Sequence, residues 1–405
     1  MTDDAQLLDF PLPRTAPAAM PAEYARWRET CPVARVSIPS GSTPHVLTRY
    51  DDVRRFLAGP KVSADARNEN LPALGIGERE AAAKSRPFIR MDPPEHTRLR
   101  RMLQGQFTVR RIEKMRPSIE RRAEQLIDSL EHKGAGELVA DFANELSTRT
   151  VLSLVGITDA DPELLHDITK ISGGRDSTAE EVGAALARLF GLLDEQVEQR
   201  IIAPVDDLVS GLVHDHLAAE GEEPGEGRVS RQELLSMLGI TIIAGRETTT
   251  SMLACGAWEI MHDEDALAAA VAGDERMPIL VDELLRLLSV ADSIPIRVAT
   301  EDQELSGCPI RAGDGVIALL GAANHDPEVF EDPGALRIDR ETPIRHLAFG
   351  HGLHHCIGHY LARVEIEVGL HTLFRRLPGL RPATDVPRLN NGSATFGMHE
   401  LPVVW

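Results

Sequence analysis

Thirteen residues, His346-Leu-Ala-Phe-Gly-His-Gly-Leu-His-His-Cys-Ile-Gly358, crowd one cysteine, four histidines and three glycines together. Gly350, Gly352 and Gly358 let the backbone pass close to something flat or bulky. Cys356 follows a loop and precedes an apolar-periodic stretch, and a helix N-terminus there would favour a thiolate. Such a sulfur suits a metal. With His351, His354, His355 and His359 beside it, a zinc site and a haem-iron site are both open. The plainest alternative is a small buried hydrophobe, the commonest fate of a lone cysteine. Cys31, Cys255 and Cys308 lie far off in sequence, so no disulfide framework is written here.

Other residues have spacings with chemical meaning. His96 and Arg100, behind Pro93-Pro94, share a helix face and can reach one anion. Glu283 and Arg286 put opposite charges at i and i+3. Arg297 interrupts an apolar strand-like stretch, where an edge-strand arginine facing water is the competing reading. In Ala244-Gly-Arg-Glu-Thr-Thr249 a glycine sits in a helix interior at a cost of about 1 kcal/mol relative to alanine. Thr248 can bond back to the Ala244 carbonyl and bend the helix, leaving room for a small molecule; a packing kink with a solvated Glu247 is the alternative.

The run Phe349 to Gly358 resembles the cytochrome P-450 signature Phe-x-x-Gly-x-(His/Arg)-x-Cys-x-Gly at every fixed position, and continues into Leu361-Ala-Arg-Val-Glu365. The resemblance implies that Cys356 is the axial ligand of haem b, iron protoporphyrin IX. It implies His354, His96, Arg100 and Arg297 as propionate partners. Glu283, Arg286 and Arg340 match the family's structural charge network. The Ala244 segment resembles (Ala/Gly)-Gly-x-(Asp/Glu)-Thr, which makes Glu247 and Thr248 the acid–alcohol pair. Ile240, Ile243, Ala244, Glu247 and Thr248 are expected on the haem-facing side; Arg246, where many relatives carry His, is expected in a salt bridge or in solvent. Family position suggests a substrate pocket of Phe88, Ile89, Ile240, Ile243, Asp292, Ser293, Thr395 and Phe396, within a wider Ala291–Ile296 stretch. Pro21-Ala-Glu-Tyr-Ala-Arg26 and Val46–Val53 look closest to soluble actinobacterial members of secondary metabolism. The departures are His325 for a usual Arg, and Asn390-Asn391 before the closing hairpin.

The elements that must position these residues are mostly helices. Apolar period suggests helices over Glu113–Leu130 and Ala179–Ile202, with breaks at Gly134-Ala-Gly136, Gly173-Gly174 and Glu220–Gly227. From Ser230 to Met261 no proline intervenes, so one helix of about 45 Å is expected, and another from Gly358 to Arg376. Ala34–Ile38 and His45–Thr48 read as strands. The expected fold is mainly α with a small β-rich lobe, the P-450 triangular prism, as a single domain over 1–405.

A net charge of −20 argues against nucleic acid or anionic membrane as main partner. No signal-peptide pattern or apolar run of spanning length is read, so a cytoplasmic monomer is expected. The implied reaction inserts one oxygen atom of dioxygen into a C–H or C=C bond of a small-to-medium organic substrate. Electrons would come from a ferredoxin and ferredoxin reductase, docking over Arg98, Arg101, Arg345 and Arg363. Oxidative coupling or ring formation is the rival outcome. A non-catalytic haem-binding protein is a further rival, disfavoured because simple binding needs no acid–alcohol pair.

Overall fold

The computed structural model describes residues 7–157, 162–219, 222, 225–340 and 345–405. The helices that build the site are α1 (Glu95–Gln104), α2 (Val109–Leu130), α3 (Glu145–Val155), α4 (Pro162–Gly173) and α5 (Ala179–Ile202). They continue with α6 (Arg231–Met261), α7 (Arg276–Leu288) and α8 (His359–Arg376). The expected spans for α5, α6 and α8 agree to within a residue. Helix α2 begins at Val109 instead of Glu113, because its first turn carries an exposed valine and two arginines and so shows no apolar period.

Helix α6 starts where a capping box dictates. Ser230 Oγ accepts the Glu233 N–H at 3.2 Å, and Glu233 Oε2 accepts the Ser230 N–H at 2.9 Å. Its side chains are buried on most sides, as befits a helix that crosses the middle of the molecule. Helices α3, α5 and α8 pack against it, and α2 packs on the far side of α8. Their buried residues merge into one large helical core.

The β-rich lobe is a six-stranded sheet. Its strands are β1 (Leu8–Asp9), β2 (Val33–Ser37), β3 (His45–Leu47), β4 (Val62–Ser63), β5 (Ile296–Ala299) and β6 (Gly315–Ala318), in spatial order β1-β2-β3-β6-β5-β4. Strand β5 lies between β6 and β4 with all four residues buried, so Arg297 is not an edge-strand arginine facing water. The antiparallel pair β7 (Arg388–Asn390) and β8 (Gly397–Glu400) returns the chain to the α6 side. Among the described residues no helix is long and apolar enough to cross a membrane.

Candidate active site

The Cys356 loop is folded on itself. The Gly350 N–H donates to the Leu347 carbonyl at 2.7 Å, and the Cys356 N–H to the Phe349 carbonyl at 2.9 Å. Gly350 and Gly352 hold positive φ angles of 71° and 74°, and a β-carbon on Gly352 would collide with the Leu57 carbonyl. Gly358 precedes α8 and has room for a β-carbon among the protein atoms. The Cys356 sulfur lies deep in the chain but opens into a cavity of about 270 Å³. Burial pushes its thiol pKa up, and this outweighs the Gly358 amide, Arg100 and Arg363, which pull it down. The helix-terminus argument for a thiolate is therefore insufficient alone; a cation bound to the sulfur would supply what is lacking.

Arg100, Arg297 and His354 line one end of the cavity, and His96 lies behind His354. His96 is 1% exposed, and neither of its ring nitrogens has a partner among the described residues. The His354 ring centroid lies 4.1 Å from that of His96, the planes tilted by 37°, and its Nδ1 is likewise unpartnered among the described residues. Burial, then neighbouring arginines, holds His96 down to about 4 and His354 to about 2. Arg100 Nη2 donates to the His355 carbonyl at 2.5 Å, and Arg297 Nη1 to the Ile296 carbonyl at 2.7 Å. Burial, then Arg90, brings Arg297 down to about 10. Among the described residues no carboxylate pairs with Arg100 or Arg297. The two arginines and two histidines come from α1, β5 and the cysteine loop, and their unmet donors suit a ligand with two carboxylates lying over the cysteine. That donor set fits a haem. Arg90, paired to Glu78 at 3.1 Å, also faces the cavity and escaped the sequence reading, which had no spacing to single it out.

The histidines do not converge as a zinc site requires. His354 turns to His96, while His355 packs against Phe349 and His359. Among the described residues no three metal-ligating side chains gather.

The opposite wall is α6. Thr248 Oγ1 donates to the Ala244 carbonyl at 2.8 Å, and both residues line the cavity. The helix runs through them unbroken. Gly245 lets α3 approach closely, since a β-carbon there would lie 3.1 Å from Val151 Cγ2. The cavity-facing stripe is Ile240, Thr241, Ala244, Gly245, Thr248, Thr249 and Met252. At about 100° per residue, Glu247 and Ile243 fall roughly 110° and 150° from the centre of that stripe, so neither lines the cavity. Glu247 turns instead toward Gly173 and the Ser393 hydroxyl. Burial raises its pKa, against the opposing pull of Ser393 and Arg246.

Arg246 corrects another expectation. It is buried, 4% exposed, and makes no salt bridge among the described residues. Its guanidinium donates to Thr148 Oγ1 at 2.9 Å, Thr169 Oγ1 at 2.5 Å, Asn144 Oδ1 at 3.1 Å and His166 Nδ1 at 2.7 Å. Neutral acceptors from α3, α4 and the turn before α3 thus tie α6 to both helices.

Phe88, Ile89 and Ile240 line the cavity, whereas Asp292, Ser293, Thr395 and Phe396 do not. The chain after α7 turns so that Ala291, Ile294 and Pro295 face inward and the polar pair faces away. Asp292 accepts the Tyr24 hydroxyl at 2.7 Å and the Gly321 N–H at 2.6 Å, a structural role. Phe396 lies under the Arg14 guanidinium, 4.3 Å away. Val151 and Leu154 of α3 take their place, and nothing in their local sequence marks them.

Glu283 and Arg286 are fully buried and bonded at 2.7 and 2.9 Å, and Arg340 Nε joins Glu283 at 2.9 Å. Arg286 Nη1 reaches the Asn324 carbonyl at 2.9 Å, and Asn324 Oδ1 accepts the Leu347 N–H at 2.7 Å. The network therefore ends on the cysteine loop. Of the four arginines expected over Cys356, Arg98 is bound to Glu233 and Arg363 to Asp282. Arg101 and Arg345 are exposed and carry no ion pair among the described residues.

A family model described as cytochrome P450 matches residues 175–405. The vitamin D3 dihydroxylase of Streptomyces griseolus is 38% identical over 400 residues, covering 98% of this chain and 96% of that protein. The 20-oxo-5-O-mycaminosyltylactone 23-monooxygenase of Streptomyces fradiae is 38% identical over 411 residues, covering 100% and 94%. The crystal structure of CYP105N1 from Streptomyces coelicolor A3(2) superposes with a TM-score of 0.88 at 52% identity, covering 98% of each chain. The model matches over half of the sequence and the relatives span nearly all of it: this chain belongs to the cytochrome P450 family.

Proposed function

We propose that this protein is a haem b monooxygenase that receives electrons from a ferredoxin and oxidises a largely apolar natural product. One observation carries the reading. A single cavity is bounded by Cys356, Arg100, Arg297 and His354 on one side, with His96 packed behind His354, and by Ala244 and Thr248 on the other. Haem, when bound, supplies the iron chemistry that activates dioxygen. Cys356 would hold the iron, and the arginines and histidines would hold the propionates. Phe349 and Gly358 would shape the sulfur's side of the pocket, and the small Ala244 side chain would leave room on the α6 side. Thr248 would present its hydroxyl to the reacting atoms. Glu247 would supply protons from behind, reaching the cavity only by side-chain rotation.

The lining of Phe88, Ile89, Val151, Leu154, Ile240 and Ile294 favours an apolar body, with Thr241 and Thr249 for a few polar groups. The Streptomyces fradiae relative is named for a macrolide lactone, which supports a product of secondary metabolism. CYP105N1 is described as an oxidase in the coelibactin siderophore pathway, which keeps oxidation without oxygen insertion as the second reading. Arg101 and Arg345 support an acidic ferredoxin as donor.

The test is spectroscopic. Reduced protein with carbon monoxide should show the red-shifted Soret band of thiolate ligation. Cys356→Ser should lose that band together with all dioxygen-dependent turnover. A variant that keeps both would overturn the assignment. A library screen for the spin-state shift would then identify the substrate.

A further inference from the structure

We infer that Ser393 is a positioning residue for proton supply, joining Glu247 to a second, polar cavity behind the β7–β8 hairpin. The inference rests on the reading above that Glu247 supplies protons. Glu247 lines neither cavity. Its Oε1 is held in a short hydrogen bond by the Ser393 hydroxyl. Ser393 in turn lines a cavity of about 30 Å³ whose other polar walls are Arg14, Tyr24, Arg175, Asp292, Ser293 and Asn391. One water needs roughly 10–15 Å³ and two to four polar partners, so this space suits water.

The hydroxyl's surroundings allow two states. Ser393 Oγ has a second neighbour, the Gly173 carbonyl, at 3.2 Å. A hydroxyl has one proton to donate and two lone pairs to accept with. When Glu247 is ionised, Ser393 donates to its Oε1. When Glu247 is protonated, the carboxyl donates to Ser393 Oγ, and the serine proton turns to the Gly173 carbonyl. Both states are fully bonded. In transfer, Ser393 passes its proton to Glu247 Oε1 and takes one from hydronium in the small cavity. One O–H bond breaks and one forms on the serine. Hydronium becomes water, and carboxylate becomes carboxylic acid.

Gly173 explains itself by the same contact. A β-carbon there would lie 2.7 Å from Glu247 Oε2 and 3.2 Å from Ser393 Oγ. The end of α4 can close over the carboxyl only without a side chain. The hairpin is pinned to that end, since the Ala394 N–H donates to the Gly173 carbonyl at 2.9 Å and the Arg175 N–H to the Gly392 carbonyl at 3.0 Å. Arg175 Nη1 also holds the Asn391 carbonyl at 2.7 Å, which gives the Asn390-Asn391 departure a place in the wall.

The experiment uses haem-loaded protein and two readouts. Infrared difference spectra against Glu247→Gln identify the Glu247 carboxyl band. In Ser393→Ala that band should move to higher frequency, because the carboxyl loses its hydrogen-bond partner. Product formation in Ser393→Ala should fall by about 10-fold or more, below the loss of a direct acid. Its solvent isotope effect should change, and the substrate-induced spin shift should stay as in wild type. Ser393→Thr keeps the hydroxyl and should restore both the band and the rate. Gly173→Ala, which keeps the serine hydroxyl and crowds the carboxyl more closely than the serine, should also shift the band. An unmoved band in Ser393→Ala and in Gly173→Ala would overturn the inference, as would Ser393→Thr behaving like Ser393→Ala. If Glu247→Gln itself turns over like wild type, the underlying reading of Glu247 fails, whatever the serine variants do.

Discussion

Thr248 holds its hydroxyl proton against the Ala244 carbonyl, 2.8 Å away, and can rotate it toward the cavity without moving the helix. Thr248→Ala should therefore leave haem reduction intact while uncoupling it from product. NADPH consumption should continue, hydrogen peroxide should rise, and product should fall by about 100-fold or more. A balance of the three quantities checks this, and wild-type coupling in the variant would place the proton donor elsewhere. Arg246 shows how far a side chain's role depends on its surroundings. Two residues before Thr248, it lies about 200° around the helix from it, and what lies on that side is the packed junction of α3 and α4. Four neutral acceptors there satisfy a charge that would otherwise be costly to bury.

At the scale of elements, the contact between α6 and α3 is set by Gly245. Adding a methyl gains about 1 kcal/mol of helix propensity but drives a β-carbon to 3.1 Å from Val151 Cγ2. Overpacking of this kind costs about 1–3 kcal/mol, so Gly245→Ala should be net destabilising. Val151→Ala in the same chain should recover part of that loss. A double-mutant cycle by chemical denaturation measures the coupling, and simple additivity would show that the two side chains do not compete. Both residues line the cavity, so the cycle also probes its wall.

Across the whole molecule, stability should depend on pH through His325. This histidine is 8% exposed, its Nδ1 is within 2.9 Å of the Gly321 carbonyl, and its Nε2 has no partner among the described residues. Burial, then Arg286, brings its pKa from 6.5 to about 3. Between those values the unfolded chain binds the proton and the folded chain does not. The contribution is thus complete above about pH 6.5 and is lost as pH falls toward 3, by up to about 1.4 kcal/mol per unit. Denaturant midpoints at pH 7.5 and pH 5 should differ less in His325→Gln than in wild type; parallel behaviour would place the proton uptake elsewhere. The buried Glu283–Arg286–Arg340 network lies beside it, and breaking one partner of such a set typically costs about 3–5 kcal/mol.

The helical class, the span of α6 and the identity of the cysteine loop are legible in the residues alone. Those features are carried by short-range codes: a capping box at Ser230, an apolar period, and a motif whose residues are neighbours in the chain. The clustering of His96, Arg100, Arg297 and His354 was also legible, but only through the family resemblance, since three separate elements deliver them. What the tertiary structure alone decided is which way side chains face once helices have packed. Glu247 and Ile243 sit on α6 as expected, yet the cavity opens a third of a turn or more away from them. Its direction is fixed by where α3 and the cysteine loop lie. Asp292 and Ser293 read as pocket residues in sequence; the turn after α7 sends them to a different cavity. The Ser393–Glu247 contact joins residues 146 positions apart, and no local pattern encodes a pairing at that distance.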